Sequence, residues 1–241
     1  MFSRLSLNKA GDYRFLITDG NFSAQTVKFT VSAGAAADLA FVQPPTDVKA
    51  GRVITPAITV SVADADGNPV SGQVVKLAVA SGPTGSVLGG TLKAVAQDGV
   101  ATFTNVALTK AGSYTLEANH ASVKSAASAS FNVSPVAAAK LAFVQQPSRV
   151  AAGAMVTPAV VVGVEDKFGN LVTTNDSQVT LSIKASPTGA ILGGAIMVAA
   201  SDGEATFSDL LLDPSGAYTL SAADGDLARA RSIKFRVSPT A

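Results

Sequence analysis

The chain has 241 residues, 47% of them hydrophobic and 15% charged, and it contains no cysteine. That excludes disulfides and Cys-ligated metal sites, and it leaves ample apolar material for packed cores. A formal net charge of +1, with no run of Lys or Arg, argues against nucleic acid or an anionic membrane surface as a partner.

Taken from the start, Met1-Phe2-Ser3-Arg4 lacks the basic-then-apolar pattern of a signal peptide. No later segment is apolar for long enough to be a transmembrane helix, so membrane insertion is not expected. The opening reads as the middle of a repeat, and the chain is expected to be a piece of something longer. Leu39 to Val42 alternates as a strand and is stopped by Pro44-Pro45, as befits a sheet edge. Ile58, Val60 and Val62 then share one face of a second strand, with Thr59 and Ser61 on the other. Val75, Leu77 and Val79 form the inward face of a third. A Gly89-Gly90 turn leads to a strand ending in Asp98-Gly99, a strong hairpin signal between apolar runs. Phe103 follows, then Ala111-Gly112-Ser113-Tyr114-Thr115-Leu116, and a last strand carries Phe131 and Val133. The period is two throughout.

The whole pattern then repeats. Leu39-Ala40-Phe41-Val42-Gln43 returns 102 residues later as Leu141-Ala142-Phe143-Val144-Gln145, and Gly67-Asn68 returns as Gly169-Asn170. Two residues are inserted near Thr173 to Asp176, after which Ala101-Thr102-Phe103 matches Ala205-Thr206-Phe207 and Phe131 to Pro135 matches Phe235 to Pro239. All three tyrosines of the chain fall at one position of this pattern, Tyr13, Tyr114 and Tyr218, each two residues before an apolar residue and two after a glycine. A Gly-x-Tyr unit entering an alternating strand resembles the tyrosine corner of an immunoglobulin-like sandwich, whose hydroxyl bonds back to nearby backbone.

The expected fold is therefore all-β: tandem immunoglobulin-like sandwiches of about seven strands each, preceded by a truncated repeat. Residues 1–35 read as the C-terminal fragment of that repeat (the E end and the F and G strands), with Phe2 matching Phe103. Residues 36–137 and 138–241 read as whole repeats. The connecting segments, Ser32 to Ala37 and Ser134 to Ala139, are short and made of small residues.

Val62-Ala63-Asp64-Ala65-Asp66-Gly67-Asn68-Pro69-Val70-Ser71-Gly72, then Asp98-Gly99-Val100-Ala101, then Ala111-Gly112-Ser113-Tyr114, resemble the group 1 bacterial immunoglobulin-like repeats. That resemblance covers both repeats and the fragment, and it implies the stalk of an invasin- or intimin-type surface protein. Nothing resembles the lectin-like tip domain of such proteins. The second copy departs where Phe168 replaces Asp66 and Leu171 replaces Pro69.

Chemistry-bearing residues are few. The single histidine, His120, replaces the turn aspartates Asp19 and Asp224, so it reads as a loop residue with no partner for nucleophilic catalysis. Asp64, Asp66 and Asn68 have the spacing of part of a calcium loop, because hard cations take closely spaced oxygens. The competing reading is a turn in which Asp accepts backbone hydrogen bonds and Gly takes positive φ. It is favoured because the terminal Glu of a full loop is absent and Phe168 removes one ligand from the second copy. Calcium between repeats, near Asp38, Asp64 and Asp166, stays open as the only cofactor. A self-formed Lys–Asn cross-link is disfavoured, since Asn132 aligns with Thr30 and Arg236. Nine of the 11 Phe align with core positions, leaving Phe22 and Phe168 on separate turns, which makes no sugar-stacking platform.

The residues point away from an enzyme, and together with the resemblance they imply a structural spacer or stalk segment of a repetitive bacterial protein, extracellular or at the cell surface. The alternative is an adhesive module that contacts a protein or glycan through its polar loops. The expected partners are neighbouring repeats of the same chain. Residues 1–32 are expected to be mobile, to lie against the next repeat, or to self-associate with the same ribbon of a second molecule, because the half-sandwich that should cover their apolar face is missing.

Overall fold

Strict alternation of β-branched and polar residues makes a strand with one wet and one dry face. In the computed structural model, which describes residues 4–240, Ile58–Ala63 is such a strand. It buries Ile58, Val60 and Val62 and turns Thr59 and Ser61 outward. It lies between Asp38–Gln43 and Val100–Phe103, antiparallel to both. A second sheet runs in the order Lys93–Val95, Val74–Ser81, Gly112–His120, Phe131–Ser134 and Val48–Lys49, and Val123–Ala127 also pairs with Gly112–His120. Val75, Leu77, Tyr114, Leu116 and Phe131 face the first sheet and close one core. Val79 is only half-buried at the end of its strand.

The chain divides into two units, Met1–Ser134 and Pro135–Ala241, and the second repeats this plan. Val160–Asp166 sits between Ala138–Gln145 and Glu204–Phe207, facing a sheet built on Gly216–Ala223. Val160, Val162, Val164, Val179, Leu181, Phe207, Tyr218 and Leu220 are buried in its core. Ile183 is half-buried, like its counterpart Val79. The chain is therefore all-β, with tandem immunoglobulin-like sandwiches.

Three local features refine a plain seven-strand reading. Pro44-Pro45 does not end the first strand so much as move it. Lacking the N–H groups to continue the ladder, the chain crosses over and resumes as Val48–Lys49, parallel to Phe131–Ser134 in the opposite sheet. Val150–Ala151 makes the same switch beside Phe235–Ser238. Asp98 and Gly99 both have positive φ, 48° and 75°, the conformation of a two-residue hairpin turn. A Cβ on Gly99 would stand 2.4 Å from that of Pro69, so this turn tolerates only glycine. The phenylalanines expected in the core divide: Phe103, Phe131, Phe207 and Phe235 are buried, whereas Phe41 and Phe143 are half-buried near the edges of their sheets. Phe2 lies outside the described residues.

The N-terminal segment is a ribbon in which Gly11–Tyr13 pairs with Phe29–Val31 and Leu16–Asp19 with Phe22–Gln25. Residues 4–8, expected to supply the end of a further strand, are in no strand. Leu5, Leu7 and Val27 are exposed, and Tyr13, Phe15, Phe29 and Val31 are only half-buried. The ribbon is a single layer, and an apolar sheet face is dried only by a second layer packed on it.

Candidate functional site

The tyrosines occupy the same geometry three times. Tyr13 donates to the Lys9 carbonyl at 2.8 Å, Tyr114 to that of Lys110 at 2.7 Å, and Tyr218 to that of Pro214 at 2.7 Å. The acceptor is always four residues back, so the hydroxyl closes the loop that leads into its own strand. Each ring also lies beside the phenylalanine of the last strand, with centroids 6.0, 5.8 and 6.1 Å apart for Tyr13–Phe29, Tyr114–Phe131 and Tyr218–Phe235. Tyr114 has a further hydroxyl neighbour, Ser86 Oγ at 2.8 Å. Burial raises the Tyr218 pKa, with the nearby Asp213 charge adding to the effect.

Asp64 and Asn68 come together at the end of strand Ile58–Ala63, both buried, while the side chain of Asp66 is exposed. The Asp64 carboxylate accepts from the backbone N–H of Asp66 at 2.9 Å and of Asn68 at 2.8 Å, and from Asn68 Nδ2 at 2.9 Å. Its Oδ2 also takes the backbone N–H of Gly34, in the segment before the repeat, at 2.7 Å. The second unit reproduces the set. Asp166 accepts from the backbone of Phe168 and Asn170, from Asn170 Nδ2, and from Val136 N at 3.1 Å. Gly34 and Val136 are equivalent linker positions. Each aspartate therefore ties down the segment that enters its own repeat.

The hydrogen bonds dominate the electrostatics of both carboxylates. Donation from the Asn68 side chain and backbone, then from Gly34, holds Asp64 far below the ordinary aspartate range and outweighs its desolvation. For Asp166, burial pushes the pKa up most strongly, but the bonds from Asn170, Val136 and Phe168 together leave it lowered. A cation at either carboxylate would have to compete with these donors for the same oxygens. Among the described residues, no group of three or more His, Asp or Glu side chains is placed to hold a metal ion.

Sequence reasoning missed what Asn68 does with the rest of its amide. Its Oδ1 accepts from the backbone N–H of Ala10 at 2.9 Å, and its Nδ2 donates to the Asn8 carbonyl at 2.8 Å. Lys9, between them, reaches the Asp66 carbonyl with its ammonium at 2.8 Å. The loop of the N-terminal ribbon thus lies against the Asp64–Asn68 turn. A signal was available: Asp64 and Asn68 recur as Asp166 and Asn170, whereas Asp66 becomes Phe168. The turn uses the first and last of these side chains and only the backbone of the middle one.

His120 lies at the end of strand Gly112–His120, not in a loop, with Nε2 3.0 Å from Gln73 Oε1. The matching residues of the second unit, Ser177 and Asp224, are also hydrogen-bonded to each other. The pair ties the ends of two neighbouring strands whichever residues occupy it. Phe168 is 38% exposed with Lys167 Nζ 4.9 Å from its ring centroid, and Phe22 is 81% exposed at the tip of the ribbon. Asn132 donates its backbone N–H to Asp47, so its strand is anchored by that contact. Among the described residues no helix is long and apolar enough to cross a membrane.

No protein-family model matches the chain, and no curated protein sequence matches it. Among solved structures it is similar to FdeC, an Escherichia coli adhesin, at 18% identity over 87% of this chain and 67% of that one, with a TM-score of 0.38. It is similar to the Yersinia pseudotuberculosis adhesin InvE at 20% identity over 83% of this chain and 58% of that one, TM-score 0.35. A β-glycosidase from Bacteroides vulgatus matches at 13% identity over 83% of this chain and 24% of that one, TM-score 0.34. The chain thus spans about two thirds or less of each of these chains.

Proposed function

We propose that the chain is a structural spacer, a stalk segment of a longer repetitive bacterial protein that stands at the cell surface or is secreted. In this reading residues 1–35 are the end of one repeat, and residues 36–137 and 138–241 are whole ones. The observation that carries it is the pair of aspartates. Asp64 and Asp166 each spend a buried carboxylate on the linker amide that enters their own repeat, Gly34 and Val136. Those bonds hold each linker segment against the sandwich it enters. Repetition of one sandwich adds reach without adding chemistry.

A second reading, adhesion through this segment itself, draws on the exposed apolar side chains of the ribbon, Leu5, Leu16, Ile17, Phe22 and Val27. Adhesive contacts favour such patches. A surface-display experiment separates the two. The chain is placed between a membrane anchor and a reporter binding domain, and the whole chain, ribbon included, is then exchanged for unrelated sandwiches of equal length. Under the spacer reading, cells bind the reporter's ligand equally well before and after exchange, and neither version adds binding of its own. Cell attachment that persists without the reporter domain and vanishes on exchange would sink the spacer reading in favour of the adhesive one.

A further inference from the structure

We infer that Asn68 is a socket for the tyrosine-held loop of the preceding repeat, and that it recognises that loop through backbone atoms alone. The tyrosine corner and the Asp-Gly-Asn turn, which the sequence presents as two separate fold features, are then the two halves of one repeat-to-repeat coupling.

The geometry is that of a side chain standing in for a strand edge. A carboxamide carries one acceptor and one donor on adjacent atoms, the same pair that a peptide unit offers to a β-partner. Asn68 presents both to one loop, Oδ1 to the Ala10 N–H and Nδ2 to the Asn8 carbonyl. The peptide between those groups is held from the other side, since the Lys9 carbonyl accepts from the Tyr13 hydroxyl. The corner therefore shapes the loop so that the groups flanking the captured carbonyl face outward toward the socket. Asp64 orients the socket in turn, because it takes the other Nδ2 proton and the Asn68 backbone N–H. The same Asp64 carboxylate holds Gly34, so one buried acid fixes both the arriving linker and the amide that grips the preceding loop.

The occupant is thus the loop before a corner tyrosine in an adjacent immunoglobulin-like repeat. Its side chains matter little. Lys9 adds an ammonium contact to the Asp66 carbonyl, but the two bonds of Asn68 reach only main chain. Recognition of that kind accepts any loop sequence that the corner holds in the same shape. It explains why the corner and the turn recur in each copy while the residues between them vary, Phe168 for Asp66 and Pro214 for Lys9.

This inference rests on the spacer reading for its purpose but not for its test. Amide hydrogen exchange resolved by residue is measured on the full chain, on Asn68→Ala and on Tyr13→Phe. Asn68→Ala removes both bonds to the loop and should speed exchange at Ala10 about ten-fold or more, since local opening sets the rate there. Amides of the strand Ile58–Ala63 should keep their protection. Tyr13→Phe leaves the socket intact and frees the Lys9 carbonyl, so it should also speed Ala10, with the sandwich again unaffected. Unchanged exchange at Ala10 in Asn68→Ala would overturn the socket. So would an equal loss of protection at Ala10 and throughout Ile58–Ala63, because Asn68 would then be a general support of the fold. Neither result bears on whether the segment spaces or adheres, which exchange of the whole chain decides separately.

Discussion

Replacing Tyr218 with Phe keeps a fully buried ring and deletes one hydroxyl, which makes it the sharpest probe of the corner. The hydroxyl has a single mapped acceptor, the Pro214 carbonyl at 2.7 Å, and Pro214 is half-buried. A bond of this kind contributes about 0.5–1.5 kcal/mol net. Because water can reach part of the abandoned carbonyl, the lower half of that range applies. For a domain of about 100 residues, each kcal/mol moves the midpoint by about 4 °C, so a fall of roughly 2–4 °C is expected. Truncation to Ala instead removes the ring and its contact with Phe235 and should cost about 3–5 kcal/mol, the scale of a buried aromatic cavity. Scanning calorimetry on the full chain suits the comparison, since the transition of residues 135–241 should move and that of residues 1–134 should stay. Coincident midpoints for wild type and Tyr218→Phe would refute the argument that the hydroxyl, and not only the ring, secures the loop.

Two further outcomes follow from the Asp–Asn turns. Calcium at millimolar concentration, or a chelator, should leave the melting temperature unchanged, because the donors around Asp64 and Asp166 occupy the oxygens a cation would need; tight binding would raise it by mass action, and a rise of several degrees contradicts this. Both carboxylates have folded pKa values below their unfolded ones, so their stabilisation is complete above pH of about 4 and is lost as the pH falls through the folded values. Melting temperature should accordingly fall as the pH drops below about 4, less steeply in the Asp64→Asn, Asp166→Asn double variant, and identical acid slopes would remove the turns as the cause.

Much of the fold was legible because it is written in alternation and punctuation. Ile58, Val60 and Val62 sit on one face because side chains alternate across a strand, and no competing period disturbs that stretch. Asp98-Gly99 announces its hairpin because few residue pairs tolerate two positive φ values in succession. What alternation cannot give is which sheet a strand joins. Pro44-Pro45 reads as a stop, and only the structure places Val48–Lys49 in the opposite sheet. Nor does it give depth of burial. Phe15, Phe29 and Phe41 carry the same inward pattern as Phe103, yet burial depends on what lies across from a face, which is a property of layers.

The candidate site was half legible for a related reason. A turn is a local object, and Asp64 capping the amides of Asp66 and Asn68 follows from four neighbouring residues. The groups that give the turn its wider use are remote in sequence: Gly34 is 30 positions away, Asn8 60 and Ala10 58. They also contribute backbone atoms, which leave no trace in residue identity. A calcium loop and a socket for main chain ask for the same side chains, oxygen-rich and closely spaced, and they differ only in whether the oxygens face a cavity or face N–H groups. Composition cannot separate those two. Comparison between copies can, because a cation needs every ligand, whereas the socket needs only Asp64 and Asn68 and is indifferent to Asp66. The change to Phe168 in the second copy, where Asp166 and Asn170 keep the same mutual bonds, is the variation that a backbone-reading turn permits.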